Sequence, residues 1–217
     1  MAHAAQIAKS ASLASPGSKE QQADKTRRAI CDAAIGCLDE IGYADTSLTR
    51  IQERAGLSRG ALTHHFPTKE DLIAATLDML LGRSVMTGKR VERAAWRKVP
   101  DKDAQVRAHL KWLWERLVRT PEGRALMEIL MASRTDKALG KRTAKSLIDW
   151  DARMGAAIID VYESPDLDDA DVVTLWAICR VFMRGMLVHE RFTRNRAEET
   201  LIVDRFIALI APHLKLR

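Results

Sequence analysis

Cysteine is scarce in this chain. There are three in 217 residues, at positions 31, 37 and 179. So small and odd a number cannot build a disulfide framework, and a reducing cytoplasmic setting is the simplest expectation. Cys31 and Cys37 are badly spaced for a CxxC pair, and Cys179 has only Arg180 beside it to favour a thiolate. No uninterrupted apolar run approaches the roughly 18 residues that span a bilayer, so no membrane partner is expected. There is no glycine-rich phosphate loop and no nucleophile elbow. The histidines offer no metal set, because His64 and His65 diverge as helix neighbours and His109, His189 and His213 are isolated. Asp166, Asp168, Asp169 and Asp171 suit a helix N-terminus better than carboxylate catalysis. The expectation is a protein that is not an enzyme and carries no metal or cofactor.

What remains is a globular composition, with 47% hydrophobic and 29% charged residues and a net charge of +6. Residues 1–23 read as a flexible arm, because their first part is rich in alanine and serine. A basic cluster follows at Lys25, Arg27 and Arg28, suited either to DNA phosphates or to a solvated helical turn. The six prolines, at 16, 67, 100, 121, 165 and 212, punctuate stretches of helical spacing without strand alternation. Ile30, Ala34, Cys37, Leu38 and Ile41 make one apolar stripe, with Gly42 as its stop. Thr46 or Ser47 caps a second helix that turns Leu48, Ile51 and Ala55 inward. Ser58 opens a third, very short helix that buries Leu62 and ends at Phe66 and Pro67. Thr68 and Asp71 have capping-box spacing and open a fourth. Further helices are expected at about 102–119, 122–134, 137–162, 168–192 and 197–214. The fold class is all-α, with about nine helices and an N-terminal three-helix unit at 24–70 ahead of a larger helical part at 71–217.

Residues 47–66 have the anatomy of a helix-turn-helix: two short helices joined by a glycine-containing turn. The second helix must fit a major groove roughly 12 Å wide. Gly60 and Ala61 permit close approach to base edges. Arg59 can reach a guanine or a phosphate, and Thr63, His64 and His65 offer short polar contacts. The stretch 26–73 resembles the DNA-binding domain of the TetR family. The Gly42-Tyr43 pair, the Thr46-Ser47 start, Ala55-Gly56-Leu57-Ser58, and the run from His64 through Glu70 carry the resemblance. It implies that Lys69 is a phosphate contact and that Thr46, Ser47 and Thr49 lie near the DNA backbone. Where the family very often has a tyrosine before the two histidines, this chain has Thr63.

The resemblance also implies a double-stranded DNA operator, a small-molecule effector in the C-terminal part, a homodimer, and most often repression. Charge does not simply agree. Residues 19–72 carry a net −1, whereas residues 82–119 carry a net +7. The second excess suits solvated faces, attraction of an acidic ligand, or steering toward DNA. Near-neutrality of the first also leaves open a helix-turn-helix used for protein contacts. All five tryptophans lie beyond residue 95. Candidate cavity residues are Met79, Met86, Trp96, Trp112, Met127, Met131, Trp150, Met154 and Trp176, since methionine and aromatic side chains line adaptable pockets. Trp112 and Trp114 cannot face the same way, so at most one lines a cavity. The broadly apolar 172–188 segment and the last helix read as a dimer interface through Trp176, Val181, Phe182, Met186, Phe206 and Ile210, or else as monomer core.

Overall fold

Small polar side chains start most helices of this chain, and two left-handed glycines, Gly42 and Gly56, end the first two. The computed structural model describes residues 16–90, 99–190 and 192–217. Helix α1 spans Pro16–Asp45 and breaks from helical geometry at Gly42, whose φ is 73°. It begins at Pro16 rather than at 24, so residues 16–23 of the expected arm are helical. Proline is suited to a first turn, and the Lys, Glu, Gln and Ala that follow favour helix. Helix α2 spans Leu48–Ala55, with the Ser47 hydroxyl accepting the Arg50 N–H and Gly56 left-handed at its end. Helix α3 spans Arg59–His65 and is capped by Ser58, which accepts the Ala61 N–H. Helix α4 runs Lys69–Arg90. At its start Thr68 Oγ1 accepts the Asp71 N–H at 3.1 Å and donates to the Asp71 carboxylate at 2.7 Å.

The rest of the chain continues the same way. Helix α5 is Lys102–Leu113, and its last turn widens into a π-helical segment at Trp114–Val118. Helices α6 (Pro121–Thr135), α7 (Lys137–Val161), α8 (Asp169–His189) and α9 (Arg196–Ile210) follow. Asp101, Thr120, Asp136, Asp168 and Asn195 cap α5 to α9 through their side chains. Nine α-helices are thus present among the described residues. One feature departs from the all-helical expectation. Tyr162–Glu163 (β1) pairs antiparallel with Lys215–Leu216 (β2), a two-residue ribbon too short to show alternation in sequence. Tyr162 anchors it, being almost wholly buried.

Two hydrophobic cores result. The smaller joins Ile30, Ala34, Cys37, Ile51, Leu62, Phe66 and Leu72, so α1, α2, α3 and the start of α4 form one unit. The larger is built from α4 to α9, with Ile35 and Leu38 of α1. Met79, on α4, packs against both. Helix α8 is long and apolar enough by length and composition to cross a membrane, with mean hydropathy 1.4 over its best window. Its apolarity is spread around charged residues, so the sequence holds no uninterrupted run there. Here α8 packs against α6, α7, α9 and the π-helical segment.

Candidate nucleic-acid interface and the cavity behind it

Helix α3 rests on Leu62, 1% exposed, and on Phe66 just beyond its end. That leaves Arg59, Gly60, Thr63 and His64 exposed and Ala61 and His65 half-buried. Nothing lies near the position a Gly60 side chain would occupy, so this face is open to a groove. The Thr63 hydroxyl donates to the Arg59 carbonyl at 2.9 Å, which ties it to its own helix. Arg27 reaches over from α1. Its guanidinium lies 4.5 Å from the centre of the Phe66 ring and donates to the His65 carbonyl at 3.3 Å. Burial, then the charges of His64 and Arg27, hold the His65 imidazole below its usual range, which favours its neutral form.

Two expected DNA contacts are placed otherwise. Thr46 is buried, and its hydroxyl donates to the Gly42 carbonyl at 2.6 Å. It fixes the turn before Ser47 instead of facing outward. Lys69 is turned inward as well, donating to the Tyr43 carbonyl at 2.7 Å with its ammonium 3.9 Å from the Tyr43 ring centre. Burial lowers its ionisation. Tyr43 also donates from its backbone N–H to Glu128 and from its hydroxyl to Asp136. The Gly-Tyr pair is therefore a joint between α1 and α6. Lys25 and Thr49 are exposed, and the Ser47 hydroxyl is occupied as a cap.

Ion pairing resolves the puzzle of the near-neutral unit. Asp32 pairs with Arg83, Asp39 with Arg124, and Asp71 with Arg142, each base lying outside 19–72. Glu40 pairs with Arg54. These acids are answered within the molecule. Lys25, Arg28, Arg50 and Arg59 are exposed and have no acid partner among the described residues.

Behind this unit lies a cavity of about 250 Å³. Its walls come from α4 (Leu80, Arg83, Ser84), the end of α5 and its π-helical turn (Leu113, Arg116, Leu117, Val118), the start of α6 (Glu122, Gly123, Leu126), α7 (Trp150, Met154) and α8 (Trp176, Arg180, Met183, Arg184, Leu187). The Trp150 indole donates to Ser84 Oγ at 3.0 Å, which fixes the ring. Gly123 is required: a Cβ there would lie 1.7 Å from the Val118 carbonyl oxygen.

A profile of the bacterial regulatory proteins of the tetR family matches residues 30–76. An uncharacterized HTH-type transcriptional regulator of Mycobacterium bovis is 31% identical over 137 residues, covering 63% of this chain and 67% of that protein. This chain belongs to the TetR family. The HTH-type transcriptional regulator CymR of Pseudomonas putida is 43% identical over 60 residues, 28% of this chain and 30% of CymR's length. A TetR transcription regulator from Haloarcula marismortui is similar in structure, with TM-score 0.61 and 25% identity, covering 88% of this chain and all of that one (100%). The family's transcription regulators are DNA-binding, and the open face of α3 agrees with that role.

Of the nine residues expected to line this TetR-family cavity, Trp150, Met154 and Trp176 do so. Met79 sits between the two cores, and Trp112 and Met127 pack half-buried on the larger one. Trp114 is buried in that core, so neither Trp112 nor Trp114 lines the cavity. Met131 is 51% exposed. The Met86 side chain and all of Trp96 lie outside the described residues. Residue type alone does not tell which helical face meets a void. The expected interface set also divides. Met186 and Ile210 are buried in this chain's own core, and Trp176 belongs to the cavity. Val181 is exposed, while Phe182 and Phe206 are half-buried and stack at 3.7 Å between ring centres, joining α8 to α9. The exposed stripe is Thr174, Ile178, Val181, Gly185 and Val188, at 4-3-4-3 spacing, beside Leu201 and Leu209 of α9. Apolar residues on the other faces of α8 mask this period in the sequence.

Proposed function

We propose that this TetR-family chain binds a palindromic operator in the cytoplasm as a homodimer and represses transcription until a small molecule fills the cavity. One observation carries the reading. Helix α4 belongs to both units: Leu72 is in the small core, and Leu80, Arg83 and Ser84 are on the cavity wall. These wall positions lie roughly 12–18 Å along the helix from Leu72. A ligand that prefers one setting of α4 shifts the spacing of two recognition helices by its differential affinity for the two states. Half-sites about 34–36 Å apart, or a multiple of this, are the geometry that such a pair reads. The exposed Ile178, Val181, Val188, Leu201 and Leu209 supply an apolar face for the partner copy. On α3, Arg59, Gly60, Ala61, Thr63 and His64 face the bases, with Lys25, Arg27, Arg28, Thr49 and Arg50 nearer the phosphates.

The test is selection of bound duplexes from a random library, followed by titration in rising salt. A recovered palindrome whose affinity falls steeply with salt supports the proposal. Arg59→Ala is expected to weaken that duplex by about 1–3 kcal/mol and relax preference at one base step. Recovery of no sequence, with no salt dependence, favours the rival reading of α3 as a protein-contact surface, whose support is the net −1 of residues 19–72.

A further inference from the structure

The cavity wall holds more positive charge than its own acids answer. Arg83 pairs with Asp32 at 2.9 Å and Arg180 with Asp151 at 2.7 Å. Arg116 is exposed at the rim, and Glu122 is the one acid among the lining residues. Arg184 differs from all of these. Set one helical turn beyond Arg180, it lies inside the wall with its guanidinium 5.2 Å from the centre of the Trp150 ring. The Arg180 guanidinium stands 4.9 Å from the same ring. Among the described residues Arg184 has no ion pair and no hydrogen-bond acceptor. Burial, and then the like charge of Arg180, pull its ionisation down to about 10 against the opposing charge of Asp151, so it stays charged at neutral pH in surroundings that disfavour charge. The remaining wall is largely aliphatic and aromatic.

A half-buried guanidinium without an ion pair in a largely apolar pocket is costly, and a bidentate carboxylate is its best-matched partner. We infer that the effector is an organic carboxylate, its acid group held by Arg184 and its apolar body packed on Trp150, Trp176, Met154 and Leu187. This rests on the reading of the cavity as the effector site and adds the chemical class of what enters. A cavity of about 250 Å³ restricts the body to the size of a fused aromatic pair or a medium aliphatic chain. The indole of Trp150 then has two duties: it screens the guanidinium through its π face and forms one side of the slot.

The probes are 2-naphthoate and its neutral twin 2-naphthamide, titrated against the full chain by tryptophan fluorescence and calorimetry. The acid is expected to bind at least about tenfold tighter than the amide. Arg184→Met is expected to abolish that preference while keeping amide binding. The ligand-free variant is also expected to melt at or above the wild-type temperature, since it loses a half-buried charge that no ion pair answers. Equal or tighter binding of the amide by the wild type overturns the carboxylate assignment and leaves the cavity reading intact. Failure of both probes up to millimolar concentration overturns the cavity reading, and this inference with it. A variant that folds but melts well below the wild type means the guanidinium was satisfied in the free protein, which also overturns the assignment.

Discussion

The DNA-facing unit and the cavity unit solve opposite problems with the same material. In the first, α3 has seven residues and turns one side inward, through Leu62, so that Arg59, Gly60, Thr63 and His64 stay exposed. In the second, five helices each give only a few residues to a shared void. The first is local: caps, turns and the buried Leu62 follow one another within twenty residues. The second is assembled from positions as distant as Leu80 and Leu187. A surface built locally can be weakened by one substitution, whereas a cavity built from many helices can change its lining while the scaffold persists.

The sharpest way to test that contrast is Leu62→Ala. Leu62 is 1% exposed, and truncating such a side chain costs about 2–5 kcal/mol. Nearly all of that falls on α3 and its seat. Duplex binding is expected to vanish. Tryptophan fluorescence, which reports only residues beyond 95, is expected to retain its native spectrum. A variant in which both signals collapse together would show that the two cores fold as one unit.

The same contrast governs what is legible in the sequence. Gly42, Gly56, Ser47, Ser58 and Thr68 announce their roles because each acts within four residues of itself, and the helix-turn-helix can be read down to its caps. Lys69 does not announce its role, because whether its ammonium turns outward depends on Tyr43, 26 residues away. Thr46 also acts locally, on Gly42, but a threonine beside a cap reads equally as turn or as outward contact. In the larger unit the helices are legible from proline and cap spacing, but the wall is not. Met131 and Met154 look alike in sequence, and one is exposed while the other lines the void. The signal that does mark the wall is Arg180 and Arg184, set at i, i+4 in an otherwise apolar helix. Charge placed there needs a reason, and the cavity supplies it.

A smaller effect separates the units by pH. His109 is buried in the larger unit, with Nδ1 2.8 Å from the Tyr162 hydroxyl, and burial lowers its pKa to about 4. The unfolded chain, near 6.5, binds the proton more readily. Stability is therefore complete above about pH 6.5, falls as pH drops through the window from 6.5 to 4, and levels off below it. The loss is at most about 3 kcal/mol. Urea melts followed by tryptophan fluorescence are expected to show this slope, and His109→Gln is expected to flatten it. An unchanged slope in the variant would assign the acid sensitivity elsewhere, with His65 of the DNA-facing unit the next candidate.

The smallest expected cost in stability concerns the seam between the units. Arg124, on α6 next to Gly123 of the cavity wall, holds Asp39 of α1 through two nitrogens. The arginine is 38% exposed, so solvent limits the pair to about 1 kcal/mol or less. Its interest lies in what it connects. In the proposed function helix α4 is one route from cavity to recognition helix, and the contacts of α6 with Asp39 and Tyr43 offer a second that the sequence did not suggest. In the wild type, a saturating selected duplex is expected to raise the melting temperature reported by the tryptophans, because binding at one unit stabilises whatever is coupled to it. Arg124→Ala is expected to keep its duplex affinity within about twofold and to show a smaller rise. A rise equal to that of the wild type would leave α4 as the sole mechanical link and reduce the α1–α6 seam to packing.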